Sequence, residues 1–424
     1  MSTRIDAGWV ITPSGAIASS SVVFDVDGCI TWVGPTGDAP SAERVVDCTW
    51  GLVAPGLIDS HTHLGLSWAK ALGPTQGHPV YDVFWPRESS LDHDLVRAFA
   101  ASSAAEALLC GTTCVADHYF FADASVEATT SVGIRSVVGE TMATRHVPHH
   151  GPQSVRRGID FVERHSATPL VHPALTPHAL DTMGAEALGE VAAEARRLGV
   201  IVHMHVAQSE REVALIRSEY GCGSVEKIAE LGLLDQPLVA AHAMHASAAE
   251  LELLASSEAV TTVYCPTVHA GLGRTLPAAR LMRLGGRVAL GTDAVPTQRR
   301  DIATEARVAA VAQQVLETDA GALSVAQAFQ MASAAGANAL GLATLVGSIE
   351  VGKQADLVAH RLDRAAVEPF TDPMAAWTVS GADLVDSVWV DGRRVVEQGR
   401  LTMVDETDVA AAAQRARADL FARV

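Results

Sequence analysis

Long apolar runs, basic clusters, paired cysteines and lysine are all scarce in this chain, and each shortage closes off a class of function. No run of apolar residues approaches the roughly 20 that a membrane helix needs. The N-terminus Met1-Ser-Thr-Arg-Ile-Asp-Ala-Gly8 lacks the basic-then-apolar layout of a signal peptide, so a cytoplasmic protein is expected. Among 424 residues, 31 Lys and Arg face 49 Asp and Glu, a formal charge of −18 with histidine neutral. Such a surface repels phosphate backbones and anionic lipid, and no Lys/Arg cluster relieves it, which argues against nucleic-acid and membrane partners. Six cysteines, Cys29, Cys48, Cys110, Cys114, Cys222 and Cys265, lie scattered without Cys-x-x-Cys spacing, as free thiols in mostly apolar surroundings do. Lysine occurs only at positions 70, 227 and 353.

Histidine and apolar residues are what the chain does have. Hydrophobic residues make up 48%, which excludes a disordered chain and supplies a large core. The run Val53-Ala-Pro-Gly-Leu-Ile-Asp-Ser-His61-Thr-His63-Leu64 delivers two histidines two residues apart. On an extended strand residues i and i+2 share a face, so both imidazoles can turn toward one ion. His205, His242 and Asp293 close further short apolar runs at 200–206, 238–243 and 288–293. Histidines with an aspartate suit zinc or ferrous iron, which accept N/O ligands and leave a position for water.

Between residues 53 and 294 apolar runs alternate with alanine-rich segments of helical spacing. Eight strands are predicted at 53–59, 111–117, 135–141, 170–177, 200–206, 238–243, 260–266 and 288–293, with helices such as 94–109 and 185–198 between them. Strand then helix, eight times, predicts an α/β fold of the (β/α)₈ TIM-barrel type, with every candidate ligand at a C-terminal strand end. A doubly wound open sheet is the alternative, but no glycine-rich phosphate loop follows the first strand. The chain ends are written in short alternating strands instead. They predict a small accessory β-sandwich domain from residues 1–54 and 341–424 beside a barrel of 55–340, with a helical tail from about 405.

These motifs resemble the amidohydrolase superfamily, in the branch of cytosine deaminase, S-adenosylhomocysteine deaminase and atrazine chlorohydrolase. The resemblance rests on Pro55-Gly-Leu-Ile-Asp-Ser-His-Thr-His-Leu64, Pro177-His178, His203-Met-His-Val-Ala-Gln208 with Glu212, Ala241-His242-Ala-Met-His245, Cys265-Pro-Thr267, Gly291-Thr-Asp293 and Gly347-Ser-Ile-Glu-Val-Gly-Lys-Gln-Ala-Asp-Leu357. It implies one divalent metal per chain, zinc first and ferrous iron second, on His61, His63, His205 and Asp293. It further implies His242 beside the attacking water or a substrate oxygen, His178 facing the substrate, and a homo-oligomer. Branches with two metals bridge them by a carboxylated lysine on the fourth strand; 170–178 contains none, so a single ion is expected.

The chain departs from this pattern at one position. Where the aminohydrolases carry a proton-shuttling glutamate three residues after the fifth-strand histidine, it has Gln208, which can hydrogen-bond but cannot exchange a proton near neutral pH. His118, His149, His150 and His269 are the candidates to replace it. His269, where relatives have asparagine, leads because a strand-end position would aim it at the barrel mouth. Glu212 matches a family glutamate and is expected to be structural. The loop Gly73–Glu88 is aromatic-rich, with Tyr81, Phe84 and Trp85 expected to cover or stack on a flat ring, or else to pack the loop. The function implied is metal-dependent hydrolytic deamination of a small amino-substituted purine, pterin, pyrimidine or triazine. Hydrolysis with another leaving group, such as halide, alkylamine or a ring-opening amide, comes second, and a silent ligand-binding protein third.

Overall fold

In the computed structural model, which describes residues 1–72, 79–294 and 298–423, the chain begins with four strands, β1 (Thr3–Thr12), β2 (Gly15–Phe24), β3 (Ile30–Pro35) and β4 (Arg44–Pro55). The middle supplies β5 (Leu57–Thr62), β6 (Thr112–Tyr119), β7 (Arg135–Met142), β8 (Val171–Pro173), β9 (Thr176–Pro177), β10 (Val202–Val206), β11 (Leu238–His242), β12 (Val260–Tyr264) and β13 (Arg287–Leu290). The C-terminal part adds β14 (Leu357–Arg361), β15 (Val385–Val390), β16 (Arg393–Glu397) and β17 (Arg400–Leu401), then the tail helix Glu406–Ala422.

The middle strands are all parallel. β5, β6, β7 and β8 pair in that order with β9 beside β7, and β10 to β13 pair in sequence. Single parallel bridges join the two groups at both flanks, Thr62 to Asp293 and Leu175 to Val202. These strands are buried on both faces, as parallel sheets covered by helices require, which explains why they read as near-continuous apolar runs. The helices lie where periodicity put them, His93–Leu109 and Ala185–Leu198 among them, and their alanines permit close approach to the sheet.

Both chain ends meet in one hydrogen-bonded sheet of eight strands, ordered β17-β16-β15-β14-β4-β1-β2-β3. The predicted first strand 53–59 therefore divides. Residues 53–55 end β4 in the terminal sheet, and after Gly56 the chain enters β5. Gly56 is required there, because a Cβ would stand 2.1 Å from Thr113 Oγ1. The predicted fourth strand is likewise split into β8 and β9. A buried bidentate pair ties the two regions together: Arg135 at the start of β7 donates from Nε and Nη2 to Asp356 at 2.9 Å each, and Asp356 also accepts the Asp391 amide at 2.8 Å. Asp356 is the aspartate of the Gly347–Leu357 motif, which gives that motif its physical purpose. No helix among the described residues is long and apolar enough to cross a membrane.

The helix Ile302–Glu317 starts on Asp301, whose carboxylate accepts the Thr304 amide at 3.1 Å. One turn in, Glu305 accepts the Thr267 amide at 2.9 Å and so anchors the segment that follows β12. Burial pushes the Glu305 carboxyl up to about 8. Between its ordinary value of 4.5 and about 8 the folded chain holds a proton that the unfolded chain releases, so this group makes stability fall as pH rises through that interval. Glu305→Gln cannot ionise. The unfolding free energy of the wild type should therefore drop relative to that variant between about pH 5 and about pH 8, by no more than about 1.4 kcal/mol per pH unit, as denaturant titration reads it; a constant difference would refute the assignment.

Candidate active site

The C-terminal ends of β5, β10, β11 and β13 converge. His63 Nε2 lies 3.2 Å and His61 Nε2 3.6 Å from Asp293 Oδ1. His205 Nε2 is 3.3 Å from His63 Nε2, and His242 Nε2 is 3.9 Å from Asp293 Oδ2. Separations of about 3–3.5 Å are those of atoms each about 2.1 Å from a shared ion. The ligand atoms of His61, His63 and Asp293 lie within 4.8 Å of one another, as do those of His61, His205 and His242. His61 Nε2 is buried with no hydrogen-bond partner, an orphan that a cation would satisfy. The residues fit a divalent metal.

Local backbone geometry aims these groups. His242 and Asp293 adopt φ of 80° and 55°, left-handed values uncommon outside glycine, where each strand turns outward. Gly291 lets β13 approach β5, since a Cβ there would stand 2.7 Å from the His61 carbonyl. The Asp293 amide then donates to that same carbonyl at 2.9 Å.

Three of the four imidazoles are held neutral, while His63, which burial alone would lower, is raised by the Asp293 carboxylate beside it. Burial keeps His61 and His205 below the ordinary imidazole value and takes His242 down to about 3, so all three are neutral and hold lone pairs. Burial alone would raise Asp293, but the imidazoles of His61, His63 and His242 that face it hold it well below the usual carboxylate range. His63 Nδ1 donates to the His118 carbonyl at 2.5 Å and His205 Nδ1 to the His178 carbonyl at 2.7 Å. Each carbonyl fixes a tautomer whose Nε2 is bare toward the ion.

A layer of buried polar groups supports this cluster. Arg300, fully buried, donates to the carbonyls of His63 at 2.7 Å and Asp293 at 3.1 Å, to Thr292 Oγ1 at 3.2 Å and to Thr62 Oγ1. Asp59 accepts the Thr292 amide at 3.0 Å and its hydroxyl at 2.5 Å, and burial pushes its carboxyl up to about 6. His203 Nε2 sits 2.7 Å from His61 Nδ1.

Above the cluster lies a cavity of about 360 Å³. Its floor is His63, His205, His242 and Asp293, and its walls include His118, Tyr119, His178 and Gln208. Tyr81, Phe84, Trp85 and Glu88 close it from the segment Pro79–Glu88; residues 73–78 of the predicted loop lie outside the described residues. Tyr81 holds this segment to the loop after β10, with its hydroxyl 3.3 Å from Ser209 Oγ and its ring 4.3 Å from the Arg211 guanidinium. Trp85 packs edge-on to Tyr81 at 4.9 Å and to His178 at 6.2 Å. Glu88 accepts the Tyr119 hydroxyl at 2.7 Å, and burial pushes its carboxyl up to about 7.

The candidates to replace the missing glutamate fare differently. Glu212 accepts the amides of Ala207 and Gln208 at 2.9 and 2.8 Å, the structural employment expected of it. His118 lines the cavity, but its Nε2 is 3.3 Å from the Pro177 carbonyl and its Nδ1 is 3.0 Å from Thr141 Oγ1, so both nitrogens are engaged. His149 and His150 are absent from the cavity lining and contact the Glu88 and Val147 carbonyls at 2.9 and 2.5 Å. His269, expected at the barrel mouth, is also absent from the lining. Pro266 starts a helix Pro266–Gly271 that carries the His269 ring back behind His242, where it is fully buried. Arg300, Glu88 and His203 escaped the sequence reading. Arg300 and Glu88 follow no periodic pattern, whereas His203 was visible as the first histidine of His203-Met-His205 and passed over for the second.

Comparison with known proteins is consistent across the whole chain. Residues 52–395 match the amidohydrolase family. A 5-methylthioadenosine/S-adenosylhomocysteine deaminase of Desulforudis audaxviator is 31% identical over 428 residues, 98% of each chain. A 5′-deoxyadenosine deaminase of Methanothermobacter thermautotrophicus is 32% identical over 97% of each. Among solved structures, a zinc-bound adenosine deaminase of Xanthomonas campestris superposes with a TM-score of 0.94 at 28% identity, covering 99% of this chain and 98% of its own.

Arg300 bonds the backbone of two candidate ligands at once, so its loss should be felt in both stability and metal retention. Arg300→Met is expected to lower unfolding free energy by at least about 2 kcal/mol and to reduce the zinc retained after dialysis. Denaturant titration and elemental analysis decide, and full metal retention would show that Arg300 does not support the ligands.

Proposed function

The chain belongs to the amidohydrolase family, and from that premise we propose that it removes ammonia hydrolytically from a small amino-substituted nitrogen heterocycle. The observation that carries this is the convergence of His61, His63, His205 and Asp293 beneath an aromatic-walled cavity of about 360 Å³, within the range of small-molecule sites. Aminopurine nucleosides are the first ring class to test, because relatives matching 97–98% of the chain are named for them. In this reading the two parallel sheets close through the Thr62–Asp293 and Leu175–Val202 bridges into an eight-stranded barrel within residues 55–340, flanked by the domain formed from both chain ends.

One zinc ion held by His61, His63, His205 and Asp293 would supply a water acidified enough to attack at neutral pH. Asp293 takes the proton of that water and returns it to the departing amino group, so that water and the amine become a ring hydroxyl or carbonyl and ammonia. His242 hydrogen-bonds the oxygen at the reacting carbon as charge develops there. His178 and Trp85 bound the ring, and Tyr81 holds Trp85 in place. Gln208 hydrogen-bonds a ring nitrogen without exchanging a proton.

That glutamine favours one alternative, hydrolysis of a substituent that leaves without a proton delivered to the ring, such as halide or alkylamine. A panel of amino-, halo- and alkylamino-purines, pterins, pyrimidines and triazines with zinc-replete protein separates the two. Ammonia release from one ring class is expected, falling at least about a hundredfold in Asp293→Asn. Release of halide or alkylamine alone would establish the alternative, and silence across the panel with metal bound would overturn both.

A further inference from the structure

His269 stands behind His242, off the cavity wall, with its Nε2 3.1 Å from His242 Nδ1. Between two neutral imidazoles this contact holds one hydrogen, so two arrangements exist. In one, His242 Nδ1 donates; its Nε2 is then bare toward the cavity, and His269 must carry its own hydrogen on Nδ1. In the other, His269 Nε2 donates; His242 then carries its hydrogen on Nε2, and His269 Nδ1 is a lone pair.

Two separate observations favour the second arrangement. His269 Nδ1 is buried and has no hydrogen-bond partner, and an orphaned buried N–H is rarer than an under-used acceptor. On the other side, His242 Nε2 faces Asp293 Oδ2 at 3.9 Å, where the carboxylate charge attracts a hydrogen. We infer that His269 is a positioning residue that holds His242 in its Nε2–H tautomer, which makes His242 a hydrogen-bond donor to the oxygen at the reacting carbon. The same tautomer keeps His242 out of the metal-ligand set, although its ligand atom stands within 4.8 Å of those of His61 and His205. The inference rests on the role proposed for His242 above.

The test is a two-bond ¹⁵N–¹H correlation spectrum of zinc-loaded protein labelled at histidine nitrogen, with signals assigned through their loss in His242→Gln and His269→Gln. His242 is expected as the Nε2–H tautomer in the wild type and in His269→Gln, whose amide can place a donor where His269 Nε2 lies. In His269→Leu its population should move toward Nδ1–H. On the substrate found by the panel, His269→Leu should lower kcat at least about tenfold with KM changed less than about threefold, and His269→Gln should recover most of that loss. An Nδ1–H tautomer in the wild type overturns the inference, as does a His242 signal unmoved in His269→Leu. Equal impairment of the leucine and glutamine variants at equal zinc content and melting temperature does so too. The tautomer is read without turnover, so a protein that deaminates nothing refutes the proposed reaction while the spectrum still decides the role of His269.

Discussion

A carboxylate buried among apolar strands stays ionised only if positive charge or hydrogen-bond donors meet it, and in this protein that carboxylate is Asp293. Its position makes the demand acute. Asp293 follows the C-terminal end of β13, where its backbone amide donates to the His61 carbonyl and Gly291 permits the close approach to β5. The neighbours on its cavity side are imidazoles whose lone pairs, once their tautomers are fixed by carbonyls behind them, point inward. A cation satisfies the carboxylate and the lone pairs together. Much of the surrounding architecture, from the Thr62–Asp293 bridge to the buried Arg300 guanidinium, keeps those groups within a few ångströms of one point.

What the sequence made legible follows the same logic. His61 and His63 were visible because a period of two on an apolar strand has one meaning, and His205, His242 and Asp293 because buried parallel strands end abruptly in polar residues. The helix 185–198 was visible from spacing alone and is found as Ala185–Leu198. Arg300 and Glu88 were not, because each acts through space from a segment without periodicity. The reading of His269 went astray for a local reason. Extending the strand to residue 266 placed His269 at the mouth, whereas Pro266 at the first helical position rotates the fourth residue of the turn inward, onto His242. The break between β4 and β5 was hidden similarly, since the apolar run passes through Gly56 without a change in composition.

Fold and site chemistry are thus separable from substrate choice. The candidate ligands stand at strand ends, which rigid parallel sheets position closely, while the cavity-lining groups Tyr81, Trp85, His178 and Gln208 come from connecting segments. Gln208 shows the division: its backbone amide donates to Glu212, while its side chain lines the cavity.

The central claim is that one ion sits on His61, His63, His205 and Asp293. Anomalous diffraction from a crystal of zinc-loaded protein, measured on both sides of the zinc absorption edge, tests it most directly. The account predicts a single peak within bonding distance of the Nε2 atoms of those three histidines and of the Asp293 carboxylate. A second peak of comparable height, or a peak displaced to the His242, Cys265 and His269 group, would contradict it.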